Sequence, residues 1–334
     1  NMIASPPRQG ASVDSESTGI KIIQISAVTR YPVVSAYEFD FIKDDPEVQD
    51  FLRPCTLYLI LQRPLLTINS LVLSKSRILT FEISDGSSND PLVFELDPVK
   101  NGLGTKKESV NMDVQLHKDP SGASINDVAG IKFLDDDGTF ITWMSPQKFI
   151  HHYLNGSLEA NVTGDPSLYI DYKVHYIGKA FSMDVWKRLN PHHKLQSVLI
   201  REGSQGTNPV TRPSFEISLL MLNIDGFTAG YLMFSYDFML GPEDEPIPHP
   251  LVSEEDFEAF NTPRLGPNAP ELTTEAEAIL VRQFKPAYNE TLFKNYPDLE
   301  KGTRSAGYTK ANLVMSNSSV ILYTDHYRLE LSGI

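Results

Sequence analysis

The chain reads as an α+β protein: an antiparallel β domain, a sandwich or half-barrel, followed by a second half that mixes helices with a small sheet. Three observations predict this. Short β-branched and aromatic runs separated by turn-forming residues dominate residues 20–143. A helical period then governs residues 182–201, where Pro191 ends one helix and the next begins near His192. A later helix opens at Thr273-Thr274-Glu275-Ala276-Glu277 with Ser/Thr capping and an early Glu, and stops before Pro286.

Taken in order, residues 1–18 are rich in Ser, Pro and Gly and aperiodic, the pattern of a flexible leader, and Asn1 before Met2 reads as an expression remnant. Strands are predicted at 20–28, 37–42, 57–61, 66–73, 78–83 and 92–96, with a hairpin at 130–133 and 139–143 turning through Asp135-Asp136-Asp137-Gly138. That acidic turn lacks the alternating ligands and distal Glu of a calcium hand and reads as solvated. These elements make up a β-rich domain over 19–160 and leave 165–334 as the second domain. There, 215–224 and 231–240 read as strands around an Asp225-Gly226 turn, and 312–315, 320–324 and 327–331 as terminal strands. An acidic, proline-rich insertion covers 241–272; it is either a solvated loop or a flap that mimics nucleic acid.

Composition narrows the function classes. With 41% hydrophobic and 22% charged residues the chain has the make-up of a soluble globular protein, and no apolar run approaches the roughly 20 residues of a membrane helix. Cys55 is the single cysteine, which excludes an internal disulfide framework and a cysteine-cluster zinc site and suits a reducing cytoplasm. The net charge of −14 argues against a protein coated in nucleic acid. Charge is uneven, however: between Pro166 and Pro213, seven Lys and Arg residues and three histidines stand against three acids.

That basic stretch belongs to a constellation that offers a phenol, a guanidinium, an imidazole, a carboxylate and an amide. Tyr176-Ile177-Gly178-Lys179-Ala180 ends a predicted strand, Arg188 and His192 follow four residues apart, and Glu277 leads into Lys285-Pro286-Ala287-Tyr288-Asn289. Phosphodiester hydrolysis needs an activated water, charge stabilisation on phosphate and help for the leaving oxygen. Glu277 is a hard ligand of the kind that holds Mg²⁺. Arg188 offers a planar fork for a phosphate oxygen. His192 can take a proton or orient water, and Tyr176 can do so as phenolate if Lys179 or Arg188 lies close. Each has a plainer reading: a solvated helix residue for Glu277 and Arg188, a turn for His192, a packing aromatic for Tyr176, and an ordinary turn residue for Asn289.

In order and spacing these segments resemble the GIY-YIG nuclease superfamily over residues 166–296, and the Arg188-His192 pair resembles its restriction-enzyme branch. The resemblance implies a GIY-YIG-like α/β domain with a small mixed sheet flanked by helices, and a Mg²⁺- or Mn²⁺-dependent endonuclease acting on DNA, with bacterial defence or restriction as its setting. Tyr176, Arg188, His192, Glu277, Asn289 and Lys179 would be its site residues and Glu277 its metal ligand. The family's first-motif strand has no clean counterpart about ten residues upstream. Tyr169 and Tyr172 are candidates, as is a strand around 149–153. Two other readings stand beside the nuclease: a catalytically inactive GIY-YIG-like module that binds nucleic acid or protein, and a β-rich interaction protein. The N-terminal β domain shows no catalytic grouping, and isologous pairing through its strand edges, or a protein partner there, is the default expectation.

Overall fold

The computed structural model describes residues 22–35, 38, 42, 45–86, 90–105, 107–117, 125–180, 215–229, 238–239, 269–306, 308, 310–316 and 319–331. Within them the chain is α+β and mostly sheet, with three helices and two sheets. In chain order these are β1 (Ile22–Thr29), β2 (Val34–Ser35), α1 (Pro46–Leu52), β3 (Cys55–Pro64), β4 (Thr67–Leu73), β5 (Leu79–Ser84), β6 (Leu92–Leu96), β7 (Asn111–Leu116), β8 (Val128–Leu134), β9 (Phe140–Met144), α2 (Pro146–Leu154), β10 (Asn161–Thr163), β11 (Asp171–Lys179), β12 (Phe215–Ala229), β13 (Phe238–Met239), α3 (Ala269–Phe284), β14 (Lys310–Ser316), β15 (Val320–Tyr323) and β16 (Arg328–Leu331).

The sheets divide the chain differently from the 19–160 and 165–334 domains read off the sequence. A nine-stranded mixed sheet runs β13-β14-β1-β12-β3-β11-β15-β16, with β2 on β12. It therefore draws β1 and β3 from the first half and is larger than the small mixed sheet expected for the second half alone. β3 is antiparallel to both β11 and β12, while β1 is parallel to β14. The seven-stranded sheet, β10-β6-β5-β4-β8-β7 with β9 on β8, takes all its strands from residues between the end of β3 and the start of β11. It is an insertion between two paired strands.

Burial explains why β3 is central. Leu57, Tyr58, Leu59, Ile60 and Leu61 are all 0% exposed, so side chains on both faces are covered, as a continuous apolar run requires. One face packs on α3 through Leu272, Ala276, Ile279, Leu280 and Phe284, a helical stripe that meets Leu57, Leu59 and Ile177. The other face gathers Tyr58, Ile60 and Leu219 beneath Val48 and Leu52 of α1. A separate core fills the inserted unit, where Phe81, Phe94 and Phe133 pack with Phe149 of α2.

Several expected elements differ. Asp225-Gly226 is not a turn: β12 runs through it, and a bulge opposite Ser26/Ala27 absorbs the extra residue. The described positions of the predicted 37–42 strand, Glu38 and Ile42, are helical. Residues around 149–153 form α2, capped by Ser145 with Pro146 in the first turn, so no first-motif strand lies there. α3 begins at Ala269, which makes Thr273 an interior residue, bonded through Oγ1 to Thr56 Oγ1 at 2.7 Å, and puts 269–272 of the predicted acidic insertion into a helix. The leader, the rest of that insertion and the helices at 182–201 lie outside the described residues.

The two sheets meet at a buried polar junction. Arg63 of β3 donates to Glu216 of β12 at 2.5 Å, to the Tyr172 hydroxyl at 2.9 Å and to the Tyr169 carbonyl at 3.1 Å. Gln147 of α2 donates to the same Glu216 carboxylate at 3.2 Å, and Lys148 pairs with Glu38 at 2.8 Å and bonds Tyr31. Burial pushes the Tyr172 phenol up to about 12 and raises the Glu216 carboxyl, the latter opposed by Arg63.

Candidate functional site

β11 is the scaffold of the candidate site because its second edge is only partly used. β3 pairs with it from Lys173 to Lys179, whereas β15 covers only Asp171 to Lys173 on the other side. Beyond that, the chain leaving α3 takes over the bare edge. The Tyr288 amide donates to the His175 carbonyl at 3.1 Å. Asn289 then binds Ile177 twice: its Nδ2 donates to the carbonyl at 2.8 Å and its Oδ1 accepts from the amide at 3.0 Å. One side-chain amide thus replaces a strand partner, satisfying both backbone groups of a residue inside the Tyr176–Lys179 segment. Asn289 ties its loop to this strand.

Lys179, at the end of the strand, reaches α3. Its Nζ lies 2.9 Å from Glu277 Oε2 and donates to Thr274 Oγ1 at 3.3 Å. The Lys179 and Glu277 side chains are 28% and 13% exposed, so the pair is accessible from one side. Glu275, two residues earlier on α3, is spent on structure: its oxygens accept from the Thr303 amide and the Tyr296 hydroxyl, each at 2.8 Å. A Cβ at Gly302 would come within 2.4 Å of Glu275 Oε1, so glycine is what lets that loop close on the carboxylate.

Tyr176 stands elsewhere. Strand alternation puts Ile177 and Lys179 on the face covered by α3, and Tyr176 with Gly178 on the opposite face beside Tyr58. The Tyr58 and Tyr176 ring centroids are 6.1 Å apart, and a Cβ at Gly178 would clash with both rings, at 2.6 Å from Tyr176 Cε1 and 2.7 Å from the Tyr58 hydroxyl. Glycine is required here for aromatic packing. The expectation that the phenol and the Glu277 carboxylate share one face is therefore corrected.

Tyr169 is also removed from the group. It is 5% exposed, belongs to the core of the inserted unit and donates its hydroxyl to the Asp90 carbonyl at 3.0 Å. Its register before β11 places it at the junction of the sheets, away from the strand's far end where Lys179 lies. Arg188 and His192 lie outside the described residues. Of the sequence-derived site residues, the structure brings together Lys179 and Glu277 and attaches Asn289 to the same strand.

Two residues beside this segment were not singled out in the sequence. Tyr58, directly opposite Gly178 in the β3–β11 register, is the phenol that the strand neighbouring the Tyr-Ile-Gly segment supplies. It precedes Tyr176 by the whole inserted unit. His175 is 1% exposed, 2.9 Å from Gln62 Oε1 through Nε2 and edge-on to Tyr288 at 5.7 Å. Its signal was only its place beside Tyr176.

Chemically, the β11–α3 group is a partly exposed ammonium–carboxylate pair between a strand and a helix. Among the described residues, no group of three or more His, Cys, Asp and Glu side chains is assembled, and no helix is long and apolar enough to cross a membrane. A single carboxylate is still a sufficient protein ligand in kind for Mg²⁺, which keeps waters and takes phosphate oxygens. No family model matches the chain, and neither the curated proteins nor the solved structures contain a match.

Proposed function

We propose that the chain is a DNA endonuclease of the GIY-YIG-like kind, hydrolysing phosphodiester bonds with Mg²⁺ or Mn²⁺. The observation that carries the reading is the meeting of three distant segments on β11: Tyr176–Lys179 itself, Glu277 at 2.9 Å from Lys179, and Asn289 bonded to both backbone groups of Ile177. Separations of about a hundred residues in sequence are closed to hydrogen-bond distance in the order the motif resemblance calls for.

In this reading Glu277 holds the divalent ion, which when bound supplies Lewis-acid charge stabilisation. Lys179 neutralises Glu277 while the site is idle and is free to turn toward a phosphate oxygen once that carboxylate is engaged. Asn289 fixes the strand, so Lys179 keeps its place relative to α3. Arg188 grips a phosphate oxygen as a planar fork and His192 handles a proton or orients water. Tyr176 is left as a packing partner of Tyr58.

A second reading has its own support. Glu277 is mostly covered and already neutralised, and Tyr176 lies across the sheet from it, which suits an inactive GIY-YIG-like module that binds nucleic acid or protein. Supercoiled plasmid with Mg²⁺ or Mn²⁺ separates the two. Nicking or linearisation by the unaltered chain, abolished in Glu277→Ala and Arg188→Ala, is the nuclease result. Retardation of intact plasmid without cleavage is the binding-module result, and activity persisting in both variants refutes the site assignment.

A further inference from the structure

The outward face of the inserted unit carries an aromatic cleft that neither packing nor the nuclease reading uses. Cross-strand register sets Asp113 opposite Lys132, Gln115 opposite Gly130 and Lys132 opposite Trp143, so β7, β8 and β9 present these side chains on one face. The other face holds Met112, Val114, Ile131 and Phe133 in the core. The first face is thus the solvent side, where a pair of aromatic residues is informative. Ile42 and Asp45 stand across from it, enclosing a cleft of about 440 Å³.

Trp143 and Phe140 share this face of the sheet. A Cβ at Gly130 would lie 2.3 Å from Trp143 Cζ2, so the absence of a side chain there lets the indole lie against the β8 backbone. Phe140, on the same strand, is 48% exposed, with Lys132 Nζ 5.9 Å from its ring centroid. Two rings along one strand suit consecutive flat-faced units better than a slot closing on a single ring. Around them stand an acceptor on Asp113, a second on Asp45, whose Oδ1 also caps α1, a donor and acceptor on Gln115 and a donor on Lys132, a mixture that matches groups able both to give and to accept hydrogen bonds. Two carboxylates against one ammonium oppose a phosphate backbone, and single-stranded nucleic acid sites pair their aromatics with a basic groove.

We propose that this cleft binds a short, uncharged oligosaccharide, its rings lying on Trp143 and Phe140 and its hydroxyls on Asp113, Gln115 and Lys132. The site is independent of the nuclease reading. The chain has two tryptophans, Trp143 and Trp186, so a Trp186→Phe variant makes Trp143 the reporter. Its emission is followed while cellotriose, maltotriose, tri-N-acetylchitotriose or decathymidylate is added.

The expected result is a saturable change with at least one trisaccharide, weakened about tenfold or more by Asp113→Ala, as loss of one well-placed hydrogen bond implies, and no response to decathymidylate. Absence of saturation with all three trisaccharides, saturation by decathymidylate alone, or indifference to Asp113→Ala overturns the proposal. If Trp186→Phe does not fold, isothermal titration of the unaltered chain and of Asp113→Ala with the same four probes reads the same outcomes.

Discussion

Lys179–Glu277 and Arg63–Glu216 are both ion pairs between distant segments, at 2.9 and 2.5 Å, yet their side chains are 28% and 13% exposed in the first and 2% and 10% in the second. The sealed pair sits in a larger network with Gln147, Tyr172 and the neighbouring Lys148–Glu38 pair. Judged by perturbed titration alone, that junction would be chosen as the active site, since Tyr172 is pushed to about 12 and His151 down to about 4. Space decides otherwise. The gap lined by Arg63, Gln147, Tyr169 and Tyr172 measures about 10 Å³, room for one water and no substrate. The junction holds the two sheets together, and the pair on β11 is the more exposed of the two, chiefly through Lys179.

The sharpest way to break this comparison is Arg63→Met. It leaves Glu216 buried with only Gln147 to hold it, and an uncompensated buried charge costs about 3–5 kcal/mol. Urea denaturation is expected to show that loss as a lower midpoint with an unchanged slope. A loss below about 1 kcal/mol would mean the junction is no more committed to structure than a surface pair.

Asn289→Ala comes next. It removes the partner of both the amide and the carbonyl of Ile177, in a half-buried position, and an unmade bond of this kind costs about 1–3 kcal/mol. Amide exchange at Ile177 should accelerate more than at Leu59, its partner across β3, because only the Asn289 side of β11 is opened. Equal acceleration at both would show that the whole strand, rather than the clamp, has loosened.

Lys179→Met should cost less than Arg63→Met, since Lys179 is 28% exposed against 2% for Arg63 and its pair is the better screened. If the same substitution costs as much as Arg63→Met, the contrast between reachable and sealed pairs fails.

What the sequence made legible follows from where its signals were local. The strands from 57 to 96 could be read because each is a short apolar run between turn residues, and the apolar stripe of α3 because its spacing is helical. Two helices were overlooked although Asp45-Pro46 and Ser145-Pro146 are N-cap and first-turn pairs; each helix is short, and its apolar residues mimic a strand. Asp225-Gly226 carries a turn signature, but pairing of β12 with both β1 and β3 overrides it. The least legible feature was that β3 pairs with β11. A unit of its own intervenes, so no local pattern joins Tyr58 to Gly178, and none shows that the nine-stranded sheet draws strands from both halves of the chain. Lys179, Glu277 and Asn289 were singled out because they lie in short motifs, whereas the face on which Tyr176 points depends on a bulge between Val174 and Tyr176.

An effect confined to acidic pH is expected at the junction's rim. His151 is held neutral, its ring lowered to about 4 by burial and then by His152, and Asn155 Nδ2 lies 3.1 Å from its Nε2, as a neutral acceptor nitrogen requires. Its ordinary value is 6.5. In the window from 6.5 down to about 4 the unfolded chain takes up a proton there that the folded chain refuses, so acidification favours unfolding. Above that window both states are neutral and the group contributes nothing to the slope. His151→Gln removes the difference, so the melting temperature of the variant relative to the unaltered chain should be flat near neutrality and rise as pH falls through the window. Parallel melting curves for the two proteins across that range would show that His151 titrates like an open surface residue, and would move the edge of the sealed region inward to Gln147 and Arg63.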